Sequence, residues 1–201
     1  MLSNLARRTI HVLNGNRKMY YQELEKIAVQ SGGRRVLEIG SGKQVDGAYP
    51  YSASHLFTGA AEFVMTDINS EFGHRVLDVT TMDDHERYDV IVCLNVLEHV
   101  YDFHTAVTNL RAALAEGGVL VVAVPFTFPL HDEPVDYWRF TEHALRKMLG
   151  DFTSVTVKHQ RARRWRAWPC ASPALLREAP RDPPGRKCER LRGCVRGCEG
   201  L

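Results

Sequence analysis

The sequence lacks the features that mark several protein classes. Only one of its five cysteines, Cys93, lies in the first 160 residues, which is too few for a disulfide framework and fits a reducing compartment. No stretch approaches the roughly 20 consecutive apolar residues of a membrane span. The first 18 residues carry Arg7, Arg8, Arg17 and Lys18 and no acid, but they have neither the apolar run nor the small-residue cleavage site of a secretory signal. A transit peptide is the weaker reading of that segment, and a soluble, cytoplasmic protein is expected. Proline is also sparse in the body of the chain, since five of the nine prolines fall after residue 160.

What is present is enough for one α/β domain: 201 residues, 44% hydrophobic and 25% charged. The net charge of +2 conceals two compositions. Residues 161–201 hold eleven basic and four acidic residues, a net of +7, so residues 1–160 carry −5. Arg161, Arg163, Arg164, Trp165, Arg166 and Trp168 combine cations with rings, a combination that can grip a nucleic-acid backbone and stack on bases. The stronger reading of this Pro/Arg/Cys-rich tail is disorder, with a shift after Gln160 like that of an altered splice end or reading frame. Cys188, Cys194 and Cys198 lack the paired Cys-x-x-Cys spacing of a zinc site.

Along residues 1–160, short apolar runs alternate with helical periodicity, the pattern of a parallel sheet covered by helices. A helix is expected over 16–30 within an N-terminal helical segment, residues 1–32. Strands follow at 35–39, 62–67, 76–79, 88–94 and 119–124. Asp102 caps a helix that Gly117 and Gly118 end, and Thr141 caps another over 141–149. Residues 152–159 alternate like an edge strand. The expected fold is a doubly wound, mostly parallel sheet.

Chemistry gathers at the strand ends. The segment Val36-Leu37-Glu38-Ile39-Gly40-Ser41-Gly42 is a strand followed by two glycines one residue apart, which let a ligand approach the backbone where open α/β sheets bind their ligands. Position 45 is Val, so the dinucleotide fingerprint fails, and no phosphate loop follows either. Asp67, ending the second strand, can accept both hydroxyls of a ribose. Asp78, after the third, can accept from an adenine amino group, and Asn95 and Val96 close the fourth. Together these residues suggest an adenosine site.

These motifs, in order, resemble those of the class I S-adenosylmethionine-dependent methyltransferases over residues 33–159. The resemblance implies a Rossmann-like methyltransferase domain at 33–160 and S-adenosyl-L-methionine as cofactor. Glu38, Gly40, Ser41, Gly42, Asp67, Asp78, Asn95 and Val96 are the cofactor residues it implies. The Asn-Val-Leu-Glu-His-Val run at 95–100 is similar to that of many small-molecule members. A cofactor that is a sulfonium cation without phosphate suits an acidic site. The complete fold in such enzymes has a final strand after the one at 152–159, and nothing beyond residue 160 reads as that strand. A missing last strand and a raw sheet edge are therefore expected.

The acceptor side is read from residues 125–141, rich in aromatic and ionisable groups. Its Asp-Tyr-Trp-Arg-Phe-Thr run resembles that of uncharacterised type-11-like methyltransferases. His131 is the first choice for a base, with His99, Asp136 and Asp132 as the other groups that could serve. The bland alternative has Trp138 and Phe140 packing on a helix and Arg139 pairing with an acid. Glu98, His99 and His131 resemble the magnesium site of small-RNA 2′-O-methyltransferases, but Asn95 stands where that pattern has an acid, so no metal is assigned. The expected function is methyl transfer to an oxygen or nitrogen of a small-molecule acceptor. The alternatives are an RNA-directed 2′-O-methyltransferase using the basic tail and a truncated, weak or inactive cofactor-binding relative.

Overall fold

A computed structural model describes residues 8–14, 17–43, 51–126, 128–131 and 134–159. The readings made for Asp132 and for the basic tail lie outside these residues. The described residues form seven strands: β1 (Thr9–Asn14), β2 (Arg35–Ile39), β3 (Glu62–Asp67), β4 (Arg75–Val76), β5 (Tyr88–Leu94), β6 (Leu114–Ala123) and β7 (Ser154–His159). They build one sheet of order β4-β3-β2-β5-β6-β1-β7 in which every ladder is parallel. The helices are α1 (Arg17–Val29), α2 (Phe103–Ala113) and α3 (Glu142–Met148). None of the described helices is long and apolar enough to cross a membrane.

The central strands alternate their side chains between two cores, as the twofold period of a strand requires when both sheet faces are covered. Val36, Val90, Val92, Val121 and Ala123 join Tyr20 and Leu24 of α1 on one face. Leu37, Ile91, Cys93, Leu120 and Val122 join Ala106 and Leu110 of α2 and Leu145 of α3 on the other. Asp102 caps α2 by accepting from the Thr105 amide, and Thr141 caps α3 by accepting from Ala144, as the sequence indicates. From β2 the sheet grows through β3 to β4 in one direction and through β5 to β6 in the other. That reversal opens a crevice at the carboxyl ends of β2 and β5, the usual ligand position in such sheets.

Three expectations are corrected. No strand follows β7 among the described residues, yet the slot beside β6 is filled. β1 occupies it, paired in parallel with β6 from Thr9–Val119 to Leu13–Ala123 and with β7 from Thr9–Ser154 to Asn14–His159. Ile10 and Val12 are fully buried there, so the N-terminal segment is part strand, and the edge falls at β7 as its alternation suggested. Secondly, α2 ends at Ala113, four residues before Gly117. The chain turns extended at Leu114, and the register step from Tyr88–Leu114 to Val90–Val119 leaves residues 115–118 as a bulge entering β6. Thirdly, the third of the expected strands is a two-residue pairing at Arg75–Val76 rather than 76–79, because Asp78 turns the chain by accepting from the amide and hydroxyl of Thr80.

Candidate functional site

At the tip of β2, Gly40 and Gly42 adopt φ of +69° and +65°, a left-handed geometry in which an L side chain is strained. A Cβ on Gly40 would stand 2.4 Å from Cγ2 of Val96, which packs directly over it. Glu38 stays inside. Its Oε2 accepts from the hydroxyls of Ser41 (2.8 Å) and Ser52 (2.6 Å), and its Oε1 from the Ala53 amide (2.6 Å). Burial raises its pKa, and these three donors oppose that rise. Ser41 is fully buried, its hydroxyl on Glu38 and its amide on the Thr66 carbonyl. Glu38 and Ser41 therefore brace the glycine turn from inside.

Asp67 reaches this turn from β3. Its Oδ2 accepts the Gly42 amide and its Oδ1 the Asn69 amide, both at 2.9 Å. A carboxylate has about four acceptor positions, so one remains on each oxygen. His74 bonds the Gly42 carbonyl through Nε2 at 2.9 Å. Asp78 commits Oδ1 to Thr80, while Oδ2 has no partner among the described residues.

From the tip of β5, Asn95 and Val96 join this turn to a second group of residues. Asn95 sits at φ 54°, a left-handed conformation that asparagine tolerates better than most side chains, and its Nδ2 donates to Oε1 of Glu98 at 3.1 Å. Glu98 is 0% exposed, and its Oε2 has no hydrogen-bond partner. Burial pushes its pKa up. The loop after β6 is stitched onto this turn. The amides of Tyr137 and Trp138 donate to the Glu98 carbonyl, Nδ1 of His99 bonds the Val135 carbonyl at 2.8 Å, and Trp138 Nε1 donates to the Val100 carbonyl. Trp138 and Phe140 meet Phe103 of α2 edge to face, so they are packing groups.

Of the four groups expected to handle a proton, the three among the described residues, His99, His131 and Asp136, lie together with unequal roles. His131 bonds Oδ2 of Asp136 through Nδ1 at 3.0 Å, and its ring lies 4.9 Å from that of His99 in a T-shaped contact. Asp136 is gripped by both terminal nitrogens of Arg139. That fork holds its carboxyl far below the ordinary range, making it a poor base and a good anchor for the His131 ring. With each Nδ1 engaged, Nε2 of His99 and of His131 has no partner among the described residues. Around them stand exposed rings and aliphatics, including Phe128, Leu130 and Tyr137. Arg139 pairs with an acid, as the alternative reading of this loop had it, and the acid is Asp136; sequence reasoning missed Ser52, Asn69 and His74, because nothing in the spacing of these residues signals their contacts. Glu98 was named from the sequence beside His99 and His131, but its full burial and unpartnered Oε2 are visible only in the fold.

A family model for a methyltransferase domain matches residues 13–177. Over 139 residues the chain is 28% identical to polyketide synthase ThaQ of Burkholderia thailandensis, covering 56% of this chain and 7% of that protein. It is 30% identical over 69 residues to the ubiquinone biosynthesis O-methyltransferase of Bradyrhizobium sp. (strain ORS 278), covering 32% of this chain and 27% of that one. The crystal structure of selenomethionine-substituted CurJ carbon methyltransferase has a similar fold, with a TM-score of 0.50 at 22% identity over 65% of this chain and 46% of that chain. The chain thus spans under half the length of each of these relatives.

Proposed function

The chain belongs to the methyltransferase domain family, and we propose that it transfers the methyl group of S-adenosyl-L-methionine to an oxygen or nitrogen of a small-molecule acceptor. The observation that carries this reading is the pairing of the two left-handed glycines with Asp67 at the tips of β2 and β3. The left-handed turn at Gly40 and Gly42 brings the Gly42 amide onto Asp67, and the two acceptor positions left on Asp67 match the two hydroxyls of a ribose. Asp78 Oδ2 is available to an adenine amino group. These residues fit an uncharged adenosine carrying a sulfonium cation, since they offer carboxylates and no phosphate cradle.

When bound, the cofactor supplies an activated methyl group, so the chain's own task is mostly placement. Val96 and Asn95 set the boundary between cofactor and acceptor. On the acceptor side, the unpartnered Nε2 atoms of His99 and His131 offer two lone pairs to a hydroxyl or amine, and Asp136 and Arg139 keep the His131 ring oriented. The aromatic and aliphatic residues of the loop favour an acceptor with apolar surface. Similarity to an O-methyltransferase supports an oxygen acceptor.

The test is calorimetric titration with S-adenosylhomocysteine. Saturable binding is expected, weakened at least tenfold in Asp67→Asn, which retains one oxygen for a backbone amide but loses the bidentate acceptor. Unchanged affinity in that variant would remove the site assignment.

A further inference from the structure

We propose that Glu98, His99 and His131 bind a divalent transition-metal ion of the zinc type at the acceptor end of the site. One ligand atom from each residue converges within 4.8 Å of the others. Three features of the surroundings distinguish this group from a chance cluster. First, Glu98 is 0% exposed and its Oε2 has no hydrogen-bond partner. Such an orphaned buried carboxylate oxygen is costly without a cation to meet it. Second, both imidazoles are oriented as metal ligands are: each uses Nδ1 on an outer acceptor, Val135 O for His99 and Asp136 Oδ2 for His131. That leaves Nε2 of each ring without a partner among the described residues and fixes the ring angle. Third, the outer acceptors are themselves held, Asp136 by the Arg139 fork and Val135 within a loop whose next residues bond the Glu98 carbonyl.

The donor set identifies the class of ion. Two imidazoles and one carboxylate suit zinc and its neighbours, whereas magnesium prefers an all-oxygen shell. Three protein ligands leave a position open for an outside molecule, the arrangement of reactive rather than purely structural zinc. Ligands about 2.1 Å from a common ion stand roughly 3–3.5 Å apart. Binding therefore draws the group inward by about an ångström, a movement available to His131 on its loop. Glu98 and Asp136 against the single guanidinium of Arg139 leave room for added positive charge. Resting on the methyl-transfer reading above, the open position would take the acceptor's oxygen or nitrogen, and the ion would make its proton easier to lose. In that state His131 is a ligand and not a base.

The experiment uses the untagged full chain with Cys170→Ser, Cys188→Ser, Cys194→Ser and Cys198→Ser, so that tail thiols do not compete. After chelator treatment the protein is titrated with Zn2+ against a chromophoric competitor, and with Co2+ followed by its visible absorption. One ion per chain is expected, with a Co2+ spectrum free of thiolate charge transfer. Glu98→Gln and His131→Ala should each weaken binding at least tenfold, and Asp136→Asn by about 10–100-fold through its hold on the ligand ring. His99→Ala, altering a more exposed ring, serves if Glu98→Gln fails to fold. Absence of stoichiometric binding, or unchanged affinity in Glu98→Gln and His99→Ala, overturns the proposal. Calorimetry with S-adenosylhomocysteine runs in parallel: zinc bound without it overturns the methyl-transfer reading alone, and the reverse result overturns the metal site alone.

Discussion

Replacing Gly40 by alanine tests the glycine turn where geometry is most demanding. Gly40 has φ +69° and its new Cβ would lie 2.4 Å from Val96 Cγ2, whereas at Gly42, φ +65°, the nearest neighbour is Tyr51 Cβ at 3.1 Å. The left-handed backbone costs about 1–2 kcal/mol at either position. At Gly40 the overlap adds about 1–3 kcal/mol of overpacking, since Val96 must leave the β5 tip or the turn must open. A loss of about 3 kcal/mol corresponds to a fall in Tm of roughly 6–12 °C for a folded unit of this size. Gly42→Ala should cost about half as much, because Tyr51 can yield by a few tenths of an ångström. Val96→Ala removes the obstructing methyl and should recover the steric part in Gly40→Ala/Val96→Ala, a coupling of about 1–3 kcal/mol, while leaving the backbone part. Urea unfolding of the four proteins gives this cycle directly. If Gly40→Ala is no worse than Gly42→Ala, or the coupling is absent, Val96 does not close over the turn and the described tip geometry is wrong.

Three further outcomes are expected. Ile10→Ala, at a fully buried position in the slot between β6 and β7, should cost about 2–5 kcal/mol in urea unfolding; a near-zero effect would mean that β1 is not in the sheet. Cys93 is fully buried and its thiol pKa is pushed up by desolvation, with Glu98 adding to the rise. Peptide mapping after alkylation should therefore find it unmodified in the native protein and modified after unfolding; labelling at the rate of an open thiol would refute its burial. Desolvation opposes the charge on Asp89, but its bonds from the Arg35 side chain and amide outweigh that and hold the carboxyl below its ordinary range. The pair therefore stabilises fully above the unfolded pKa of about 4 and loses its contribution as pH falls through the folded value. The stability gap between the native protein and Asp89→Asn, about 1 kcal/mol or less at neutral pH, should close on acidification, and a gap that widens would contradict the ion pair.

The family and the glycine turn at the tip of β2 were legible in the sequence because both rest on local patterns. Apolar runs such as 88–94 mark strands buried on both faces, Asp102 and Thr141 mark helix starts, and two glycines beyond a strand announce a turn that only they can make. Those signals span a few residues, so one chain suffices to read them. The filling of the sheet did not belong to that class. Residues 9–14 pair with residues more than a hundred positions away, and nothing within six residues states which slot they enter. The site divided in the same way. Asp67 could be named from its strand end, but Glu38 as a brace, Asp136 as an anchor and Glu98 as an orphaned acid emerged only when distant segments closed around them. Hydrogen bonds and burial are properties of the assembled surroundings, and they decided which carboxylates support the turn and which remain available for chemistry.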